Sequence, residues 1–380
     1  MQFLTRPDIL AELVTLITEE PPSSVELSTQ YRHASIACEV LTSPLSSLSD
    51  RLSLDTHQMN RLCDFINRDP PLNPLLASYF SKTIEMLLER NPKQDWYLYH
   101  IVCLRVLDFF KSRRDFLPNL LRHISTSAIA DTFKFFIRLD DLFNKIIMEW
   151  LEEHQLIECL IQIICATQSA GAAGSRASEP EKGSREPSEK HNHASDDEQG
   201  SPEHPSSASP SPEEEARRAR ARTAAVASAN ACALLCDLVA TGCAAEGAAA
   251  RSRTSWALVA KLAGGGGVRA LLQAVFTSAG AARAAALVHG ARLLRHLLDH
   301  HPVLGGEGGT SRSQVELAVA PHLPLLHQAL LRDPATYAQV HSIPRVAILS
   351  VTRTFSFLWF WRRILSICQC QVFYIFKLQK

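Results

Sequence analysis

Three groups of side chains in this sequence have the types and spacing that enzymes and metal sites use. They are the paired carboxylates Glu152 and Glu153, the run His191-Asn192-His193, and the run Cys368-Gln369-Cys370. Paired carboxylates could serve acid–base catalysis, and histidine and cysteine are common zinc ligands. None of the three groups completes a site. The side chains of Glu152 and Glu153 point about 100° apart if the two residues lie on a helix. The histidines lie in a segment too polar to fold alone. The cysteines lack the second pair that a zinc site needs.

The common motifs for phosphate binding and hydrolysis are also absent from the sequence. It contains no G-x-x-x-x-G-K-[ST], no H-E-x-x-H and no G-x-S-x-G. The glycine run 264–267 therefore predicts a flexible loop and not a phosphate cradle. We predict that the chain is not an enzyme and carries no catalytic residue, cofactor or metal ligand.

Two clusters of basic residues could bind a partner. Lys111, Arg113 and Arg114 follow two phenylalanines, and they fit either a solvated helix end or a docking patch for an acidic partner. The four arginines within 217–222 could contact an anionic surface. Their positive charge could equally be neutralised by the adjacent glutamates 213–215, and we favour this second interpretation.

Four serines have the sequence context of phosphorylation sites. Ser195 is followed by Asp-Asp-Glu, which fits an acidophilic kinase, whereas Ser201, Ser209 and Ser211 each precede proline and fit proline-directed kinases. Phosphorylation there would add charge close to the arginines and could dock the segment on them.

The overall composition excludes a general attraction to nucleic acid. The 380 residues include 39 Lys plus Arg and 39 Asp plus Glu, which gives no net charge. The start of the chain shows no secretory signal, so its ten cysteines favour a reducing compartment. We predict a cytoplasmic location, with the nucleus as a second site. The aromatic stretch 355–376 is not predicted to span a membrane, because Arg362 and Arg363 near its middle would cost at least about 5 kcal/mol.

The elements that must position any functional residue are predicted to be helices throughout. Pro7 fits a helix start, Asp55 fits an N-cap, and Asn73-Pro74 opens the clearest helix. Further helices are predicted at about 31–42, 95–113, 115–123, 125–139, 141–152 and 155–166. After the break they are predicted from about 216 to 239 and at 268–277, 284–300 and 315–332.

The pattern of short helices with wide apolar faces predicts an all-α, helical-repeat (armadillo/HEAT-like) solenoid. No strict internal period is visible. Residues 169–215 are rich in Ser, Pro and Glu and predict a disordered linker. The resulting division is a helical part at 1–168, the linker at 169–215, a second helical part at 216–335 and an atypical tail at 336–380.

Residues 69–90, DPPLNPLLASYFSKTIEMLLER, resemble the signature of the SAPS-domain family, the regulatory subunits of serine/threonine protein phosphatase 6. Other stretches of the family follow in order at 3–22, 37–43, 116–139 and 150–164, and more weakly at 229–239. Residues 95–105 stand out as an insertion between matching segments. The tail beyond about residue 350 does not resemble the family.

The resemblance implies a non-catalytic regulatory or scaffolding subunit that binds the phosphatase 6 catalytic subunit and directs its substrate choice. It also implies a wider assembly with ankyrin-repeat proteins. We place the partner-binding surface near Asn73, Lys82, Arg113 and Arg114, although Asn73 could serve only to cap its helix. The alternative is a general helical adaptor in signalling or trafficking that does not bind a phosphatase.

Overall fold

The computed structural model describes residues 3–22, 24, 26–89, 95–139, 141–165, 211–243, 253–278, 281–300, 314–322 and 325. Regular secondary structure within these ranges is entirely helical, which confirms the predicted all-α class. The helices, numbered in chain order, are α1 (Pro7–Thr18), α2 (Leu27–Gln30), α3 (Arg32–Leu41), α4 (Ser46–Leu54), α5 (Thr56–Asp64), α6 (Pro74–Leu88), α7 (Trp96–Ser112), α8 (Phe116–Arg122), α9 (Ser127–Ile137), α10 (Asp141–Glu153), α11 (Leu156–Ile164), α12 (Pro212–Cys243), α13 (Arg253–Ala263), α14 (Gly265–Thr277), α15 (Ala281–Asp299) and α16 (Gln314–Val319). Short 3₁₀ turns, Phe65–Asn67 and Ala320–His322, follow α5 and α16.

Local side chains set several of the helix starts. Pro7 occupies the first position of α1, where its missing N–H leaves no hydrogen bond unmade. The Asp55 carboxylate accepts a backbone N–H of α5 at 3.2 Å. The Asp95 carboxylate accepts the N–H groups of Tyr97 and Leu98 at 2.9 and 3.1 Å, at the start of α7. These acceptors satisfy donors that an uncapped helix end would expose to water.

The helices stack as three-helix repeats, and equivalent helices of successive repeats form three columns. The first column contains α4, α7, α10 and α13, each in contact with the next. The second contains α1, α5, α8, α11 and α14; here α1 contacts α5, the turn after α5 contacts α8, and α11 contacts α14. The third contains α3, α6, α9, α12 and α15 in unbroken succession. This stacking confirms the predicted helical-repeat solenoid.

Polar side chains bridge successive repeats at a recurring distance along the chain. Arg61 donates to Thr15, 46 residues earlier, and Arg105 donates to Asp50, 55 residues earlier. The hydroxyls of Ser81 and Thr132, 51 residues apart, lie 2.7 Å from each other. The repeat is therefore about 50 residues long but variable, which explains why no strict period is visible in the sequence.

One hydrophobic core runs through both helical parts of the chain, from Val14 to Val319. At its centre the ring of Phe116 stacks on that of Phe110, with centroids 4.4 Å apart, and lies 6.1 Å from that of Trp150. Five cysteines of the first helical part lie in or against this core. Cys38, Cys63, Cys103 and Cys165 are buried, and Cys159 is half-buried. Burial raises the pKa of Cys165 to about 11, which makes its reactive thiolate scarce at neutral pH.

The structure differs from the helix prediction at three places. α4 and α13 lie where no helix is predicted. The glycine run 264–267 is not a loop. Gly264 is the N-cap of α14 and the other three form its first turn. A Cβ on Gly267 would strike the carbonyl oxygens of Lys261 and Leu262, so glycine allows α14 to begin against the end of α13.

Two segment boundaries also differ from the prediction. Residues 95–105 are the N-cap and first turns of α7, and Tyr99, Val102 and Cys103 within them are buried. They contribute to the core of the repeat, and their standing as an insertion relative to the family stays a prediction. The predicted linker ends too late, because α12 begins at Pro212. Residues 166–210 connect α11 to α12, the second and third helices of one repeat. The rest of the predicted division, including the tail at 336–380, stays a prediction, and the stretch 355–376 lies outside the described residues.

Among the described helices, α12 alone is long and apolar enough to cross a membrane by length and composition. Its C-terminal half packs against α9, α11 and α15, where Leu234, Leu235, Leu238 and Val239 are buried. Core helices of globular proteins pass the same test, so this packing is sufficient to account for the apolar residues.

Candidate partner-binding surface

Both polar atoms of the Asn73 side chain form hydrogen bonds within the chain. Its carbonyl oxygen accepts the N–H groups of Leu75 and Leu76 at 2.9 and 3.3 Å, which caps α6 as predicted. Its amide donates to the Tyr31 hydroxyl at 2.8 Å and to Glu20 at 3.1 Å. One side chain thus joins the start of α6 to the segments after α1 and before α3, and it has little left to offer a partner.

Arg113 has a similar internal role. Its guanidinium donates to Asn60 at 2.8 Å and to Asp64 at 2.7 Å, and the Asp115 carboxylate lies at 3.4 Å. Its side chain is 16% exposed. Burial alone would lower the pKa of Arg113, but the hydrogen bond to Asp64 and the neighbouring negative groups raise it overall. Arg113 therefore fastens the end of α7 to α5 of the preceding repeat.

Lys82 and Arg114 differ from these two residues, because both are exposed. Lys82 lies on α6, in the third column, and Arg114 lies in the connection from α7 to α8. No ion pair involves either residue within the described part of the chain. The four predicted residues do not converge on one spot, since Asn73 contacts the neighbourhood of α1 and α3 while Arg113 contacts α5.

The predicted phosphorylation sites divide into one described residue and three outside the described residues. Ser211 is exposed and precedes α12, and its hydroxyl oxygen accepts the N–H of Glu214 at 3.3 Å. With Pro212 in the first helical position, Ser211 acts as the N-cap of α12. Ser195, Ser201 and Ser209 lie outside the described residues, and their modification stays a prediction.

The acidic pair singled out in the sequence lies on the surface. Glu152 and Glu153 line a shallow pocket at the end of α10 together with Glu149. Among the residues that the structure describes, no histidine, nucleophile or buried acid lines this pocket. Across the described ranges, no three His, Cys, Asp or Glu side chains come together in a way that could hold a metal ion.

Sequence reasoning missed an exposed aromatic pair. Trp96 and Tyr97, in the first turn of α7, are 55% and 68% exposed, and Leu104 follows one heptad after Tyr97 on the same face. The sequence feature that could have revealed the pair is Asp95. As the N-cap of α7, it places Trp96 and Tyr97 in the first turn, away from the face of the helix that is buried. Exposed aromatic residues are enriched at protein interfaces.

Comparisons with known proteins agree with the resemblance seen in the sequence. The family described as SIT4 phosphatase-associated protein, SAPS, matches residues 100–303, just over half of the chain. The chain is 36% identical over 170 residues to serine/threonine-protein phosphatase 6 regulatory subunit 3-A of Xenopus laevis, which covers 44% of this chain and 19% of that protein. It is 37% identical over 169 residues to regulatory subunit 2 of the same phosphatase from Mus musculus, covering 43% of this chain and 17% of the relative.

A more distant relative is extragenic suppressor of kinetochore protein 1 of Schizosaccharomyces pombe, which is 31% identical over 172 residues, 43% of this chain and 19% of that protein. The chain thus spans about a fifth of the length of the curated relatives it matches. No solved structure matches it. The family match covers the stack from the second turn of α7 to the end of α15. The chain belongs to the SAPS family of phosphatase-associated proteins.

Proposed function

We propose that the chain is a non-catalytic regulatory or scaffolding subunit that binds the catalytic subunit of serine/threonine phosphatase 6 and directs its choice of substrate. The observation that carries the proposal is the family match over residues 100–303, together with relatives named as regulatory subunits of that phosphatase. The metal chemistry of dephosphorylation would belong to the catalytic subunit.

The architecture supports this role physically. Stacked repeats hold three columns of helices in fixed relation, and such stacks present long surfaces to globular partners. The polar bridges between repeats, such as those of Arg61 and Arg105, stiffen the stack further. A rigid support of this kind can position an enzyme and its substrate without making or breaking a bond.

The partner contacts that we assign are the exposed cations Lys82, on α6, and Arg114, between α7 and α8, which belong to different elements of the stack. Asn73 and Arg113 support these elements from inside, since their polar atoms hold adjacent repeats together. The exposed Trp96 and Tyr97 supply apolar area on the first column. Ankyrin-repeat proteins as further partners, and a cytoplasmic and nuclear location, are part of the same proposal.

The test is affinity purification of the tagged chain from cell lysate, followed by mass spectrometry. Recovery of the phosphatase 6 catalytic subunit is the expected result. The double charge reversal Lys82→Glu with Arg114→Glu should reduce that recovery, whereas Arg283→Glu, an exposed change on α15, should not. Circular dichroism of each protein confirms its helical fold. A folded chain that recovers no phosphatase would favour the general helical adaptor instead.

A further inference from the structure

α12 begins with a segment that stands outside the packed core. We call residues 212–226 the basic arm. All of them are exposed except Glu214, which is half-buried, and the helix becomes buried only from Ser228 onward. A helix that is polar and exposed on all sides is stabilised by its own ion pairs or by a partner. Packing against the core therefore does not account for the helical structure of the basic arm.

The charges of the basic arm are only partly balanced within it. Arg218 pairs with Glu214 at 2.6 Å, and it is the one of the four arginines that contacts a carboxylate in the described part of the chain. Arg220 and Arg222 have no acidic residue three or four positions away in either direction. Neutralisation by the neighbouring glutamates thus holds for Arg218, but Arg220 and Arg222, on the exposed part of the helix, have no acidic neighbour at helical spacing.

We propose that the basic arm is a docking site for residues 195–203 of the same chain, the acidic segment. This segment, SDDEQGSPE, contains four carboxylates and no lysine or arginine. Its charge is complementary to that of the four arginines within 217–222. The glutamates 213–215 in the first turn of α12 repel it, so it docks on the arginine-bearing turns that follow.

Chain length permits this contact within one molecule. Glu203 and Pro212 are nine positions apart in the sequence, and an extended chain of that length can span up to about 30 Å. Arg222 lies ten residues into α12, about 15 Å along the helix axis. The acidic segment can therefore fold back beside the arginines and reach them with chain to spare.

Phosphorylation strengthens the docking. A kinase that transfers the γ-phosphoryl group of ATP to the hydroxyl oxygen of Ser195 or Ser201 releases ADP and a proton. Each phosphoserine then carries a charge of about −1.5 to −2 at neutral pH. Arginine pairs well with phosphate because its planar guanidinium can donate two parallel hydrogen bonds.

The test measures binding of the acidic segment to the full chain by fluorescence anisotropy. The full chain used in this test carries Asp196→Asn, Asp197→Asn and Glu198→Gln, so that its own acidic segment does not compete with the peptide. The probe is a labelled peptide of residues 195–203, with or without phosphate on both serines, at chain concentrations up to about 1 mM. Arg220→Gln with Arg222→Gln is the arm variant. Arg51→Gln with Arg283→Gln, two exposed arginines elsewhere, is the control of equal charge.

Binding of the peptide, about fivefold tighter with both phosphates, is the expected result. The arm variant should weaken it about fivefold, the control should not, and high salt should weaken it further. No binding at 1 mM, or equal weakening by both variants, would overturn the proposal. A single-stranded oligonucleotide of equal charge that binds the arm as tightly would also overturn it, because the arm would then be a general polyanion surface. Neither result depends on whether the chain binds a phosphatase.

Discussion

Arg113 and Arg114 are adjacent, but the structure predicts that removing Arg113 lowers stability much more than removing Arg114. Arg113→Ala deletes the hydrogen bonds to Asn60 and Asp64 and the packing of a side chain that is 16% exposed. A hydrogen bond to a charged group contributes about 1.5 kcal/mol, and the pair with Asp64, itself 56% exposed, adds about 0.5 kcal/mol. We expect a loss of about 2 kcal/mol in the free energy of unfolding. Arg114→Ala removes an exposed side chain and should change it by less than about 0.5 kcal/mol.

The assay is urea unfolding followed by circular dichroism at 222 nm, with a thermal scan as a second measure. For a chain of 380 residues the Arg113→Ala loss corresponds to a fall in Tm of about 2–4 °C. Arg113→Lys should lie between the two alanine variants, because an ammonium group cannot span both acceptors in the way the guanidinium fork does. Equal effects of Arg113→Ala and Arg114→Ala would refute the assignment of Arg113 as a bridge between repeats.

Four further predictions follow from other contacts. Burial, with nearby carboxylates, raises the pKa of Glu85 in the folded chain. The ionised carboxylate therefore destabilises the folded state at neutral pH. Glu85→Gln should raise the free energy of unfolding at pH 7 but not at pH 3, as measured by urea unfolding. Burial lowers the pKa of His123, so stability should fall as pH drops below about 6.5, and His123→Gln should flatten that slope in a pH series. Gly267→Ala should lower Tm because its Cβ strikes backbone, whereas Gly266→Ala, which meets open space, should raise it slightly. Asn73→Ala should cost about 2 kcal/mol in urea melts, and Asn73→Asp, which keeps the cap but cannot donate, about 1 kcal/mol.

Local rules were sufficient to predict much of the fold from the sequence. Asp55 and Asn73 were identified as caps because an acceptor side chain at that position satisfies backbone donors of the next helix, and both serve that role. The apolar residues of α6 recur at helical spacing, which indicates its buried face. These features depend only on residues within one helical turn or one helix, which the sequence displays directly.

The arrangement of repeats and the roles of the candidate residues could not be predicted in the same way. The partner of Arg113 lies 53 residues away, and nothing in the local sequence distinguishes it from Arg114. The glycines before α14 look like a loop, because the close approach to α13 that requires them is a tertiary contact. Membership of the family came from a resemblance and from the comparisons, since no single side chain in the stack identifies a phosphatase regulator.

The proposed function requires the folded chain to bind the phosphatase 6 catalytic subunit. The most direct measurement is size-exclusion chromatography with light scattering on a mixture of the purified chain and the purified catalytic subunit. We predict a single peak whose mass equals the sum of one copy of each protein, and its loss when Lys82 and Arg114 are reversed in charge. Two separate peaks at micromolar concentrations, with the chain shown to be helical by circular dichroism, would contradict the account.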